Sequence, residues 1–245
     1  AKKNNIDPKN IFVVSVMPCI AKKYERQREE MKVNGLDDVD AVITTRELAR
    51  MIKQANIDFS MLEDEVFDNP MGEATGAGAI FGTTGGVMEA ALRAAYEMIT
   101  GEELKNVEFE AVRGEKGIKK AEIQIGEEKI KVAVAHGLGN AKKIMEEIKS
   151  GKADYQFVEV MACPGGCIMG GGQPIKSSKI RSAVDVRRKR AEAMYSIDEK
   201  SAIRKSQDNP VLQKIYKEYI GKPGEEKAHE LLHTHYAEKE KYKIF

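Results

Sequence analysis

Hydrophobic positions in this chain fall in short clusters whose spacing changes along the sequence. Residues 10–17 (Asn-Ile-Phe-Val-Val-Ser-Val-Met) are almost continuously apolar and stop at Pro18, which predicts a buried parallel strand. Residues 22–32 are charged and compatible with a helix. Residues 39–43 are a second apolar run. Thr44-Thr45-Arg46-Glu47 then opens a helix, because a Thr hydroxyl and a Glu three residues later can satisfy the free amides of a first turn reciprocally. Leu48, Met51 and Ile52 form its apolar stripe. Residues 57–71 read as an acidic loop, and residues 72–86 as a glycine-rich stretch running into a helix over 87–100. Residues 107–113, 121–125 and 129–135 read as strands. The alternation Ala121-Glu122-Ile123-Gln124-Ile125 marks a strand with one buried face. An amphipathic helix is predicted over 140–149, a buried strand over 155–160 and a helix over 182–195. After Ser196 the chain turns polar, with short helices punctuated by Pro210 and Pro223.

Composition narrows the class. The 245 residues carry 42% hydrophobic and 32% charged side chains, as soluble globular proteins do. The net charge of +1 recruits neither nucleic acid nor an anionic membrane. No apolar run approaches the ~18 residues of a transmembrane helix. Trp is absent and aromatics are few, which disfavours binding by base stacking. No signal peptide is visible at the start, and the expectation is a cytoplasmic protein.

Candidate chemistry gathers at the three cysteines. Cys19 lies in Met17-Pro18-Cys19-Ile20-Ala21-Lys22-Lys23, after the first apolar run. Cys163 and Cys167 lie in Met161-Ala162-Cys163-Pro164-Gly165-Gly166-Cys167, after the 155–160 run, and Ile168-Met169-Gly170-Gly171-Gly172-Gln173-Pro174 follows. Both segments place thiols in loops at strand ends, where open α/β sheets build their sites. Three cysteines do not make a disulfide scaffold. Glycines let the backbone approach a bulky group and aim amides at it, so thiolates among glycines suit an iron–sulfur cluster. Inert buried thiols are the plain alternative, and zinc fits less well, since structural zinc favours four closed ligands. Lys22, three residues after Cys19, can lower a thiol pKa or donate to an anionic ligand, or be an ordinary surface lysine.

Other signals are weaker. Gly76-x-Gly78-x-x-x-Gly82 departs from the dinucleotide fingerprint, and no Gly-Lys-Ser/Thr follows, so a close helix approach to a crowded centre is preferred to a phosphate loop. His229-Glu230-Leu231-Leu232-His233 matches H-E-x-x-H but lies in a charged tail. There Leu231 and Leu232 more simply dock an amphipathic helix on the main body. Arg187-Arg188-Lys189-Arg190 reads as a solvated helix face or docking patch.

Taken together, these motifs resemble the iron-only (FeFe) hydrogenases. The segment 17–25, Met-Pro-Cys-Ile-Ala-Lys-Lys-Tyr-Glu, is similar to that family's second signature, and 161–174 to its third. The likeness continues through Thr44-Thr45-Arg46-Glu47-Leu48 and Gly76-Ala77-Gly78-Ala79-Ile80-Phe81-Gly82, and 229–236 is similar to a C-terminal segment that some members carry as a separate small subunit.

The resemblance implies an α/β fold of two lobes. Each has a mainly parallel twisted sheet flanked by helices, the lobes close on a buried metal cluster, and a helical C-terminal segment is added; the strand readings agree. The expected division is a hydrogenase domain over 1–195 and a small-subunit-like segment over 196–245. The implied cofactor is the H-cluster, a 4Fe–4S cubane joined through a cysteine sulfur to a diiron unit bearing CO, cyanide and a dithiolate. The resemblance assigns the cubane to Cys19, Cys163 and Cys167, with Cys167 bridging to the diiron unit. It gives Lys22 a hydrogen bond to cyanide, and it places Met17, Met161, Phe81 and Gly82 around the diiron pocket. The implied activity is reversible interconversion of H2 with protons and electrons. The implied partners are a ferredoxin or NAD(P)H-linked subunits, or a cytochrome, together with maturation proteins. The family's first signature, a Cys-Cys-Pro segment supplying a fourth thiolate and a proton-relaying cysteine, is missing. This chain is therefore expected to be the C-terminal part of a longer catalytic subunit and inactive alone. The competing expectation is a non-catalytic iron–sulfur relative: an assembly protein, an electron carrier or an H2 sensor.

Overall fold

The computed structural model describes residues 5–66, 68, 73–114 and 116–237. In the first lobe, β1 (Val14–Met17) leads into α1 (Ala21–Glu25), a small hairpin of β2 (Lys32–Val33) and β3 (Leu36–Asp37), then β4 (Ala41–Thr44) and α2 (Thr45–Gln54). The hairpin turns at Asn34 and Gly35, both with positive φ (53° and 76°), as a tight hairpin turn demands. β1 and β4 pair in parallel, with Met17 opposite Thr44. Thr44 caps α2 as the motif predicts: its hydroxyl accepts from the Glu47 amide and the Glu47 carboxylate accepts from the Thr44 amide.

Two expectations for this lobe change. β1 is not buried, since Val14 and Val16 are 48% and 42% exposed. A two-stranded parallel sheet has too few neighbours here to cover both faces. The helix expected over 22–32 ends at Glu25 and gives way to a 3-10 turn at Glu29–Met31. That stretch has no apolar stripe at helical spacing, so packing does not extend the helix.

The second lobe contains α3 (Gly76–Ile80), α4 (Gly86–Thr100), β5 (Ile118–Ile125), β6 (Glu128–His136), α5 (Leu138–Lys149) and β7 (Phe157–Met161). β5 and β6 are antiparallel, and β6 and β7 are parallel, with His136 opposite Met161. The period of two along β6 builds two cores. Val132 and Val134 join Met88, Leu92, Val112, Ile123 and Ile125 under α4, while Ala133 and Ala135 join Ile144 of α5. The fold is α/β as expected, with one parallel and one antiparallel pair in each lobe.

Here too the structure departs from the sequence pattern. Within the glycine-rich stretch, whose Gly72 lies outside the described residues, Gly76–Ile80 is a helix. Residues 107–113 form no strand but a 3-10 turn at Glu110–Val112, because side chains take up the segment. Arg93 Nε donates to the Val107 carbonyl and Arg113 pairs with Glu89. β7 reads as an apolar strand, yet Phe157 and Val160 are exposed and the buried residue is Glu159.

α6 (Ser178–Ala183) and α7 (Val186–Lys200) follow, and α7 runs unbroken across residues 195 and 196. α8 (Pro210–Ile215), with Pro210 at its first position, a π-type turn at Tyr216–Ile220 and α9 (Glu226–Leu232) complete the described chain. The helical tail expected to continue to the end falls outside the described residues from 238 onward. This segment is anchored by charge. Asp198 receives both terminal nitrogens of Arg93 at 2.8 Å, and Arg93 also donates to Glu89 at 2.9 Å; all three side chains are fully buried. Such a group survives burial only because every charge is paired and the fork geometry is satisfied.

Candidate metal centre

The carboxyl ends of two parallel pairs carry the three thiols. β1 ends at Met17, two residues before Cys19, and β7 ends at Met161, two residues before Cys163. The loops meet because glycines remove side chains from the contact. Gly172 donates its amide to the Pro18 carbonyl at 2.8 Å, and a Cβ on Gly170 would lie 2.2 Å from that same oxygen. The glycine run also reaches α2: the Arg46 amide donates to the Gly172 carbonyl, and its guanidinium to the Gly171 carbonyl at 2.8 Å.

The loop between Cys163 and Cys167 rests on the turn after α3. Ile168 donates its amide to the Gly82 carbonyl at 3.0 Å, and Thr84 donates to the Gly165 carbonyl at 3.3 Å. Gly166 has φ +96°, and a Cβ there would lie 2.7 Å from the Gly82 carbonyl oxygen, so only glycine fits. Two buried charges support that turn. Glu159 accepts from the Gly85 and Met88 amides at 2.6 and 2.7 Å, at the start of α4. Lys119 donates to the Thr84 and Gly114 carbonyls at 2.9 and 3.1 Å. Burial lowers the Lys119 pKa to about 8, against the opposing pull of Glu159.

Cys19, Cys163 and Cys167 are free, half-buried thiols. Burial raises the pKa of Cys163, and Cys19 adds to the rise. Burial, then Cys163 and Cys19, raises that of Cys167, with Lys22 pulling the other way. Both thiols of the second segment are thus held protonated by burial, and bound cations such as iron would favour their thiolates. Among the described residues no three His, Cys, Asp or Glu side chains converge on one ion. A cubane asks for less convergence, because each thiolate binds a different iron. The donor set and the glycine-lined approach fit such a cluster.

Of the other predicted site residues, Lys22 on α1 is exposed, with Nζ 2.7 Å from Glu25 Oε1. Met17 and Met161 are half-buried at the two strand ends, and Met161 accepts the Gly137 amide at 2.7 Å. Gly82 is in direct contact with the Cys167 loop through its carbonyl, while Phe81 beside it is 44% exposed. The glycine-rich stretch uses its own amides. Gly76 and Ala77 donate to the Ile203 and Arg204 carbonyls, Gly78 to Thr75, and Gly85 to Glu159, so none of these four faces a phosphate. His229 on α9 and His233 just past it have ring centroids 4.6 Å apart, tilted by 34°, and Leu231 and Leu232 are exposed rather than docked on the main body as expected.

Sequence reasoning missed Glu159, Lys119 and Arg190. Glu159 had a signal: it is the one charge in an otherwise apolar strand, and such a residue needs a buried partner. The basic run 187–190 is also corrected. Arg188 and Lys189 are solvated and pair with Glu192, but Arg190 turns inward and donates to the carbonyls of Ile168 and Pro174.

Comparison with known proteins agrees with this geometry. Residues 1–171 match the family model "iron only hydrogenase large subunit, C-terminal domain", and residues 184–239 match "iron hydrogenase small subunit". The chain is 51% identical over 236 residues to the NADP-reducing hydrogenase subunit HndD of Solidesulfovibrio fructosivorans, covering 96% of this chain and 40% of that protein. It is 32% identical to Protein NAR1 of Arabidopsis thaliana, covering 92% of this chain and 50% of that protein. The solved structure of apo [FeFe]-hydrogenase HydA1 from Chlamydomonas reinhardtii, variant C377H, superposes with a TM-score of 0.77 at 42% identity, covering 96% of this chain and 65% of that one. The chain thus spans about two fifths of the length of the hydrogenase subunit it matches. Two family models that match residues 1–171 and 184–239, and a fold shared with a solved hydrogenase, place this chain in the iron-only hydrogenase family.

Proposed function

We propose that this chain is the cysteine-bearing part of the catalytic unit of an iron-only hydrogenase, which interconverts H2 with protons and electrons at an H-cluster. The observation that carries this is the backbone contact of the Cys167 loop with the Cys19 loop, Gly172 amide to Pro18 carbonyl at 2.8 Å, at a closeness that only glycines allow. When bound, the cluster supplies low-valent iron to polarise H2 and a cubane to take up an electron.

The residues of this chain hold and shape that group. Cys19, Cys163 and Cys167 supply three of the cubane's four thiolates, and Cys167 also holds the diiron unit. The fourth thiolate comes from outside this sequence. Lys22 leaves Glu25, an exposed ion pair of small net worth, to donate from Nζ to a cyanide. Met17, Met161, Phe81 and Gly82 keep water from the diiron face.

The proposed organisation keeps a hydrogenase unit over 1–195 and a helical segment over 196–245, with α7 as the seam. The proposed partners are the remainder of the same protein, maturation proteins and a redox partner. NAD(P)H-linked subunits are favoured over a ferredoxin by the likeness to an NADP-reducing hydrogenase subunit. Among the described residues no helix is long and apolar enough to cross a membrane, and the proposed location is the cytoplasm.

Infrared spectroscopy of the complete, matured protein tests the reading. Bands from CO and cyanide are expected. A cubane signal without them after full maturation would favour the alternative, a relative of the cytosolic Fe-S cluster assembly factor narfl of Danio rerio, to which the chain is only 31% identical.

A further inference from the structure

Helix α7 carries a row of side chains that the proposed chemistry does not use. Arg187, Arg190, Met194 and Asp198 are spaced three, four and four residues apart, so they share one face. Three of them lie against the backbone around Cys167. A Cβ on Gly165 would lie 2.5 Å from Arg187 Cδ, and one on Gly82 would lie 3.7 Å from Met194 Sδ. Between these, Arg190 donates from Nη1 to the Ile168 carbonyl at 2.7 Å and from Nη2 to the Pro174 carbonyl at 2.9 Å. Asp198 fixes the far end of the face through Arg93.

We infer that Arg190 is a positioning residue which clamps the two ends of the 168–174 glycine loop and so fixes Cys167, the clamp being delivered by the segment that matches the small-subunit model. The loop needs such a device. Its glycines permit the contacts with Met17 and Pro18, but they also leave the backbone many conformations. A rigid, bidentate guanidinium reaching two carbonyls six residues apart removes that freedom. Its helix is in turn pinned at Asp198, so the clamp cannot drift with a surface side chain. Arg188 and Lys189, next to it, engage only Glu192 at the surface.

The importance of a fixed Cys167 rests on the proposed function, but the clamp itself is tested without a cluster. The complete polypeptide carrying this sequence is prepared cluster-free, and iodoacetamide labelling of each cysteine is followed by peptide mass spectrometry under native conditions. Arg190→Gln should speed labelling of Cys167 about tenfold relative to Cys19, because both carbonyls lose their charged donor. Arg190→Lys, which can reach one carbonyl at a time, should fall between Gln and wild type. Arg188→Ala should leave all three rates unchanged. An unchanged Cys167 rate in Arg190→Gln would overturn the inference. So would a parallel rise at all three thiols, which would make Arg190 a general stability residue. In cluster-loaded protein, Arg190→Gln should also reduce cubane iron per chain, and full loading with an unaltered paramagnetic signal would count against the clamp. Absent CO and cyanide bands would overturn the hydrogenase reading and leave the thiol result standing.

Discussion

The Gly172 amide donates to the Pro18 carbonyl at 2.8 Å, so the loop after Cys167 is bonded directly to the loop before Cys19. The loops that follow two strands from different lobes are thereby held against each other. The contact is backbone to backbone and depends on missing side chains rather than on attractive ones.

Gly170→Ala should break this junction. The new methyl would lie 2.2 Å from the Pro18 carbonyl oxygen and 3.0 Å from that of Cys167, and neither backbone atom can swing away. Overpacking of this kind costs about 1–3 kcal/mol. The expected result is a lower melting temperature together with loss of bound iron, read by calorimetry and iron analysis. Full iron content at an unchanged melting temperature would refute the geometry.

Asp198→Asn should be strongly destabilising. It removes the carboxylate that takes both terminal nitrogens of fully buried Arg93, and leaves Glu89 as the sole carboxylate on that guanidinium. Breaking a buried pair costs about 3–5 kcal/mol. Urea denaturation measures it, and a change below ~1 kcal/mol would show that the network is not holding the helical segment in place.

Acid should weaken the attachment of the helical segment to α4 through Glu97, which holds Lys205 and Gln207. Burial pushes its pKa up, but bonds from Lys205, Gln207 and the Leu104 amide outweigh that and hold it at about 2, below its ordinary 4.5. A folded pKa below the unfolded one means that the unfolded chain binds more protons between the two values. The stabilisation is complete above about pH 5 and is lost as pH falls from there toward 2. Unfolding midpoints measured over that range should fall more steeply for wild type than for Glu97→Gln. Equal slopes would exclude Glu97 as a contributor.

Cys167→Ser in the complete enzyme should abolish H2 activity. A serine oxygen is a hard ligand, poorly suited to the low-valent iron that the Cys167 sulfur would hold. Lys22→Ala should act differently, reducing diiron occupancy by removing a charge-assisted hydrogen bond of about 1.5–3 kcal/mol. Infrared bands and H2 uptake read both variants. Retained iron content and uptake in Cys167→Ser would reduce Cys167 to a packed thiol.

Much of this arrangement is legible in residue order because its causes are local. The Thr44–Glu47 box needs only residues three apart, and the alternation in 121–125 needs only the pleat of one strand. The two cysteine motifs need only an apolar run followed by a Pro turn, with glycines in the second, and the structure places them at strand ends as expected. The resemblance to the iron-only hydrogenases rests on these same local segments, and the family matches bear it out.

What the sequence alone left undecided depends on partners far along the chain. That β1 stands exposed, that Val107 gives its carbonyl to Arg93, and that Glu159 is buried while its apolar neighbours are not are all set by which element packs alongside. The same holds for Arg190. Within the run 187–190 it is chemically identical to Arg188, and only the position of α7 against the glycine loop turns one guanidinium onto two carbonyls and the other toward solvent. A side chain's type and its place along a helix are written locally. Its burial and its hydrogen-bond partner are properties of the surface that tertiary folding brings to it.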